Sequence, residues 1–400
     1  MTSRELRGLE KRLESYLCEM TGSLGRVERR NNAGLYLRGL LLDGERKSIE
    51  PMASRVGGDV QSLQQFIGQS GWAWHPLHEA LNASMSALLG AARYWVVDET
   101  SFPKQGQESV GVARQYCGTL GKIASCQVAV SLHWSDTEHS WPLGWQLYLP
   151  ESWVSDPARR GKAGIPEALT YASKPQLALR LIEQALAENL PRGVVLADHL
   201  YGNAYGWRAR LHEWRLAYVV SVGAGTGVWL EESPAPTRRR GRPLGHRPRA
   251  QIVSLQTAAR QLPASAWKNV LWREGPRGAQ RSRFACRRVW AAHRGEKPSS
   301  LRWAEQVLIE WPEGADAPTR YWLCWQPGEL PELLESIQHA KARWKIEQDY
   351  RELKEELGLD HFEGRSWMGW HHHVALVTLA FAFLRREQLR AKKNFTAHFA

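Results

Sequence analysis

The sequence predicts an α/β protein: an α/β core preceded by an all-helical N-terminal domain and interrupted by a β-rich insertion. Three observations carry this. Residues 3–92 show apolar positions at helical spacing, with Leu6, Leu9, Leu13 and Leu17 as the clearest series. From Arg93 the texture changes to short runs of Val, Leu and aromatic residues, each ending at a polar residue, as in Tyr94-Trp-Val-Val-Asp98 and Gly193-Val-Val-Leu-Ala-Asp198. Between residues 223 and 327 the period becomes two, as in Glu305-Gln-Val-Leu-Ile-Glu-Trp311.

Taken in order, the first segment holds a second apolar cluster at Leu35, Leu37, Leu40, Leu41 and Leu42. A charged break follows at residues 45–48, then helical stretches at 49–56, 60–67 and 78–89. A strand over 94–98 opens the next segment. A hairpin over 112–120 and 124–134, a strand at 141–149 and an amphipathic helix at 176–190 come after it. Residues 193–198 read as a buried strand, 205–214 as a helix and 217–222 as a strand. Leaving aside the strand at 141–149, the order is three strands, helix, strand, helix, strand, that of a ribonuclease-H-like sheet. Its first and fourth strands are parallel neighbours, so Asp98 and Asp198 are expected side by side. The β-rich stretch starts with Gly223-Ala-Gly-Thr-Gly227 and a basic run from Thr237 to Arg249. A long helix over 329–357 and a last one over 370–389 complete the chain. The expected domains are therefore 1–92, 93–222, 223–327 and 328–400.

Composition narrows the function. The chain has 400 residues, 43% of them hydrophobic, enough for a sizeable core and against intrinsic disorder. Its formal charge of +12 favours a polyanionic partner, because each neutralised phosphate releases counterions. Five scattered cysteines with no Cys-x-x-Cys pair exclude a zinc site of the usual spacing and predict reduced, buried thiols. Neither an apolar signal core nor an apolar run of membrane length is present, which predicts a soluble, intracellular protein.

Three carboxylates carry the chemistry: Asp98 and Asp198 at strand ends, and Glu347 on the helical segment Ala342-Arg-Trp-Lys-Ile-Glu-Gln348. Acidic groups converging from two strands and a helix can hold two Mg²⁺ ions about 3.5–4 Å apart, an arrangement suited to in-line attack on phosphodiesters. On one continuous helix, Arg343, Glu347, Tyr350, Arg351 and Lys354 share a face, with Trp344, Ile346 and Leu353 on the apolar side. After Asp98, Lys104 is placed to reach a phosphate, and Arg114 and Tyr116 fall on one face of a strand. The run at His371, His372 and His373 is expected on the surface or on a DNA backbone, since consecutive helical side chains diverge by about 100° and do not chelate together.

Four segments resemble DDE-type transposases of bacterial insertion sequences. They are Trp95-Val-Val-Asp-Glu-Thr-Ser-Phe-Pro-Lys104, Gly111-Val-Ala-Arg-Gln-Tyr-Cys-Gly-Thr-Leu-Gly-Lys122, Leu196-Ala-Asp-His-Leu-Tyr-Gly202 and Leu357-Gly-Leu-Asp-His-Phe-Glu-Gly-Arg-Ser366. The similarity runs from about residue 35 to the C-terminus. It is to the branch whose glutamate sits in a tyrosine–arginine–glutamate–lysine signature. The resemblance implies that Asp98, Asp198 and Glu347 are the catalytic, metal-binding triad, with Mg²⁺ as cofactor and Mn²⁺ as a possible substitute. It implies that Arg343 and Lys354 are the signature's arginine and lysine; its tyrosine falls at Ala340, a departure. It further implies double-stranded DNA as partner (element ends and target), a homodimer on DNA, and the bacterial cytoplasm, at the nucleoid, as the location. Arg240-Gly-Arg-Pro243 is separately similar to the core of an AT-hook, so Arg240 and Arg242 join the expected DNA contacts. Two rival readings are a metal-dependent nuclease without strand transfer and a domesticated, non-catalytic DNA-binding protein.

Overall fold

The structure, a computed structural model, describes residues 2–136, 138–232, 252–273, 278–292 and 303–398. Five helices come first: α1 (Ser3–Met20), α2 (Val27–Leu41), α3 (Ile49–Val56), α4 (Val60–Gly68) and α5 (His75–Leu89). Strands β1 (Tyr94–Pro103), β2 (Ala113–Cys117), β3 (Lys122–Ser135) and β4 (Ser140–Leu147) follow. Next are α6 (Glu151–Val154), α7 (Pro157–Ala163), α8 (Lys174–Ala187), β5 (Val194–Ala197), α9 (His199–Gly202), α10 (Tyr205–Glu213) and β6 (Tyr218–Val222). The stretch expected to be β-rich holds β7 (Gly227–Trp229), β8 (Val253–Ser254), α11 (Leu255–Arg260), β9 (Lys268–Arg273), β10 (Gln280–Ala291), β11 (Ala304–Pro312) and β12 (Arg320–Trp325). Helices α12 (Leu333–Ala342), α13 (Lys345–Glu355) and α14 (Trp367–His398) end the chain.

The chain forms two compact units. One comprises residues 1–92, 98–191 and 345–400, and the other residues 93–97 and 192–344. The N-terminal helices thus share a unit with β2–β4 and the last two helices.

In the first unit, Thr2 starts α1 with a capping box: its hydroxyl accepts from Glu5 N while the Glu5 carboxylate accepts from Thr2 N. Helix α14 is the unit's spine and packs on α2, α4, α5 and β4. Strands β2, β3 and β4 form antiparallel ladders, and Lys104 N donates to Ser125 O of β3 at 2.9 Å. Helix α8 packs across β3 and β4.

Packing of α14 overturns the surface expectation for its histidines. His371, His372 and His373 are all buried, because the helix is surrounded on successive faces and each ring finds a polar partner there. His371 Nδ1 lies 2.9 Å from Trp367 O, His372 bridges Ile67 O and Trp72 O, and His373 Nδ1 meets the Tyr36 hydroxyl at 2.8 Å. Burial pushes their pKa values down to about 3, 4 and 3 respectively.

In the second unit, residues 94–96 of β1 run parallel to β5, and β5 runs parallel to β6. From β6 the sheet continues antiparallel through β12, β11 and β10. Gly193 permits the first contact: a Cβ there would stand 2.6 Å from the Tyr94 carbonyl carbon. A buried ion pair, Arg208 to Glu305 at 2.9 Å, ties α10 to β11, and Glu305 also accepts from Tyr218 OH at 2.6 Å.

The single helix expected over 329–357 is two helices. α12 buries Ser336, Ile337 and His339, whereas α13 buries Ile346, Asp349, Tyr350 and Leu353. At 100° per residue those stripes are turned by about a quarter turn, so no straight helix seats both. The chain breaks at Arg343 and Trp344, where it passes from one unit to the other. Trp344, expected on the apolar side, is 44% exposed beside the Arg273 guanidinium.

Candidate active site

Asp98 lies within β1, which runs on past the end expected at residue 98, directly after its buried residues 94–97, whereas Asp198 follows the short buried β5. The parallel register pairs Tyr94 with Val194, Trp95 with Val195 and Val96 with Leu196. Asp98 and Asp198 each come two residues after the last of these pairs. Asp98 is half-buried and its Oδ1 accepts from Glu99 N at 2.9 Å; Glu99 itself pairs with Lys174 at 2.6 Å. Asp198 caps α9, its Oδ1 accepting from Leu200 N at 2.9 Å, with His199 Nδ1 3.7 Å from Oδ2. Gly202 lets that turn lie against β6, since a Cβ there would stand 2.0 Å from Ser221 O.

Glu347 lies exposed in the first turn of α13. The helix is oriented from below by two buried polar residues. Asp349, fully buried, accepts from Ser140 Oγ at 2.7 Å, from the Arg385 guanidinium at 3.2 Å, and meets His133 Nδ1 at 3.0 Å. The Tyr350 hydroxyl meets Ser131 Oγ at 2.7 Å. Tyr350, expected on a DNA-facing stripe with Glu347, is therefore turned into the core, leaving Arg351 exposed.

The cations are placed differently from one another. Lys354 Nζ donates to Ser101 O at 2.9 Å and Thr119 Oγ1 at 2.8 Å, and Lys104 Nζ donates to Phe362 O at 2.6 Å. Burial lowers the pKa of both ammonium groups. Arg343 is half-buried at the C-cap of α12, off the helix that carries Glu347. Arg114 is exposed on β2 beside Tyr116, as strand alternation requires. Arg240 and Arg242 lie outside the described residues. The buried set around Asp349 escaped the sequence reading. Its one signal was spacing, since 346, 349, 350 and 353 make a single helical stripe.

Among the described residues no group of three His, Cys, Asp or Glu side chains is spaced to hold a metal ion. The donor chemistry of the carboxylates is nonetheless that of a hard cation: only oxygen atoms are offered, with no thiolate or imidazole required. Among the same residues no helix is long and apolar enough to cross a membrane.

Residues 19–279 match the DDE superfamily endonuclease family, and the chain belongs to it; membership implies a ribonuclease-H-like core and, in general, dependence on a divalent metal. The match includes Asp98 and Asp198 and stops before Glu347. The chain is also similar to the "Probable transposase for insertion sequence element IS701" of Microchaete diplosiphon, at 31% identity over 209 residues, 51% of this chain and 52% of that protein. It thus spans about half the length of the curated relative it matches.

Proposed function

We propose that the protein is a transposase that binds the terminal inverted repeats of its own element, cuts there and joins the ends to target DNA. Asp98, Asp198 and Glu347 are its metal-holding triad. What supports the reading chiefly is the β1–β5 pairing of residues 94–96 with 194–196, after which each chain segment reaches its aspartate two residues on. The exposed Glu347 on α13 supports the third place, because Asp349 is already committed to three buried partners.

Asp98, Asp198 and Glu347 would hold Mg²⁺, which when bound would make a water or a DNA 3′-hydroxyl more acidic and offset charge on the departing oxygen. The chain's own residues do the rest: the three carboxylates hold the ions, while Arg343, Arg114 and Arg351 meet phosphates of the bound duplex. Lys104 and Lys354 brace the loops around the site from beneath, each through a backbone carbonyl. Synapsis of two ends calls for a homodimer on DNA. Residues 1–92 and the basic run containing Arg240 and Arg242 add sequence-independent contacts, consistent with the +12 charge.

Asp98→Ala, Asp198→Ala and Glu347→Ala should each abolish Mg²⁺-dependent cleavage of terminal-repeat DNA while leaving duplex affinity within about threefold, since affinity comes mainly from phosphate contacts. A variant that still cuts at the parent rate removes its residue from the triad. Joined products in a plasmid assay separate strand transfer from simple nuclease action.

A further inference from the structure

The β2–β3 hairpin turns an apolar face to solvent. Tyr116 and Ile123 are direct cross-strand partners and are 62% and 60% exposed, and Leu120 in the turn is 46% exposed. Their inward-facing neighbours Cys117 and Cys126 are fully buried against Val128, so the strand alternation is complete and the outer face is not a packing failure. β2 also stands at the end of its strand order. An exposed aromatic–aliphatic pair on a hairpin at the sheet edge invites aggregation unless something covers it in use.

The turn is held rigidly. Thr119 N donates to Ser101 Oγ at 3.1 Å and Thr119 Oγ1 to Ser101 O at 2.8 Å, while Lys354 Nζ reaches both Thr119 Oγ1 and Ser101 O. Ser101 lies on β1 just after Asp98, and Lys354 lies on α13 two turns after Glu347. The hairpin is therefore bolted to the two elements that carry proposed catalytic carboxylates. Its residues 113–125 include Arg114 and Lys122 and no Asp or Glu. A second copy of this chain, with its own excess of positive charge, is a poor electrostatic match. Three side chains also fall far short of the roughly 800 Å² per partner of a stable protein interface.

We propose that this hairpin is a DNA wedge: Tyr116, Ile123 and Leu120 unstack a base step of the duplex beside the scissile phosphate, with Arg114 and Lys122 on flanking phosphates. The proposal rests on the DNA-cleaving part of the transposase reading above, the nuclease reading for short, and adds the hairpin to it. In the full chain, Tyr116→Ala and Ile123→Ala should weaken binding of a fully paired duplex roughly tenfold. Binding of the same duplex with a short unpaired bubble should change little, because unstacking is already done. The salt slope should hold for these variants and flatten for Arg114→Ala and Lys122→Ala. Parent-like affinity for the paired duplex overturns the wedge while leaving the nuclease reading intact. A loss accompanied by a dimer-to-monomer change in sedimentation without DNA also overturns it, because the face then belongs to a second copy. If the parent protein neither binds nor cuts any duplex in Mg²⁺, the nuclease reading fails and the wedge with it.

Discussion

Two carboxylates one half-turn apart on α13 should fail in opposite ways. Asp349 is fully buried and engages Ser140, His133 and Arg385, whereas Glu347 is exposed. Truncating Asp349 leaves the 8%-exposed Arg385 with Glu352 at 3.0 Å as its ion-pair partner and strips acceptors from two further buried groups. Removing one member of a buried pair costs about 3–5 kcal/mol. Because Glu352 remains, the lower end applies, so Asp349→Ala should cost about 3 kcal/mol and lower the melting temperature by roughly 10 °C. Glu347→Ala, an exposed truncation, should stay within about 0.5 kcal/mol. The assay is urea unfolding followed by circular dichroism, run beside Mg²⁺-dependent cleavage of duplex DNA. The expected pair is a stable, inactive Glu347→Ala and an unstable Asp349→Ala whose cleavage returns when an osmolyte such as trimethylamine oxide restores the fold. If Asp349→Ala unfolds at the parent midpoint, the anchoring role is wrong; if it stays inactive when stably folded, Asp349 is a rival for the third place in the triad.

Acid should loosen the helical part of the first unit. The unfolded chain protonates its histidines as the pH falls below about 6.5, but the folded rings of His78, His371, His372 and His373 resist until about 4, 3, 4 and 3. Stability is therefore complete above about pH 6.5 and declines by up to about 1.4 kcal/mol per ring per pH unit below it. Urea midpoints at pH 7.5, 6 and 5 check this, and a flat profile contradicts it. Replacing Arg238, Arg239, Arg240 and Arg242 with alanine should weaken DNA binding at every sequence and flatten its salt dependence. A greater loss on A·T-rich than on G·C-rich duplex, measured by titration, supports minor-groove insertion of Arg240 and Arg242; no loss on either removes the run from the interface.

The apolar runs before Asp98 and Asp198 were legible because each stops abruptly at a polar residue, but β1 itself continues through Asp98 to Pro103, which that pattern did not reveal. Their register, a matter of backbone pairing, came only with the fold. The helix break at Arg343 and Trp344 was invisible: no Gly or Pro marks it, and its cause is a turn of the buried stripe between two separately packed units. Tyr350 was misread because position on a helix was argued from charged neighbours rather than from the buried series 346, 349, 350 and 353. The histidine run misled for a related reason. Imidazoles read as polar in a sequence, yet inside a bundle a ring can be neutral and donate its one N–H to a carbonyl, as His371 does to Trp367 O. Lys354 and Lys104 were legible as cations near the site, but not as struts to backbone oxygens.

The spine position of α14 sets an order of events during synthesis. The first helices emerge early, yet their partners arrive last: Ile67 waits for His372, 305 residues later, and Arg12 for Glu387, 375 residues later. At about 5–20 residues per second, the Ile67–His372 pair stays open for roughly 15–60 s. Throughout that interval the apolar stripes of α2, α4 and α5 lack the helix that covers them. The unit that carries Asp98 and Glu347 closes only as α14 leaves the ribosome, so everything from α1 to α14, including the whole second unit, is made before that core is complete.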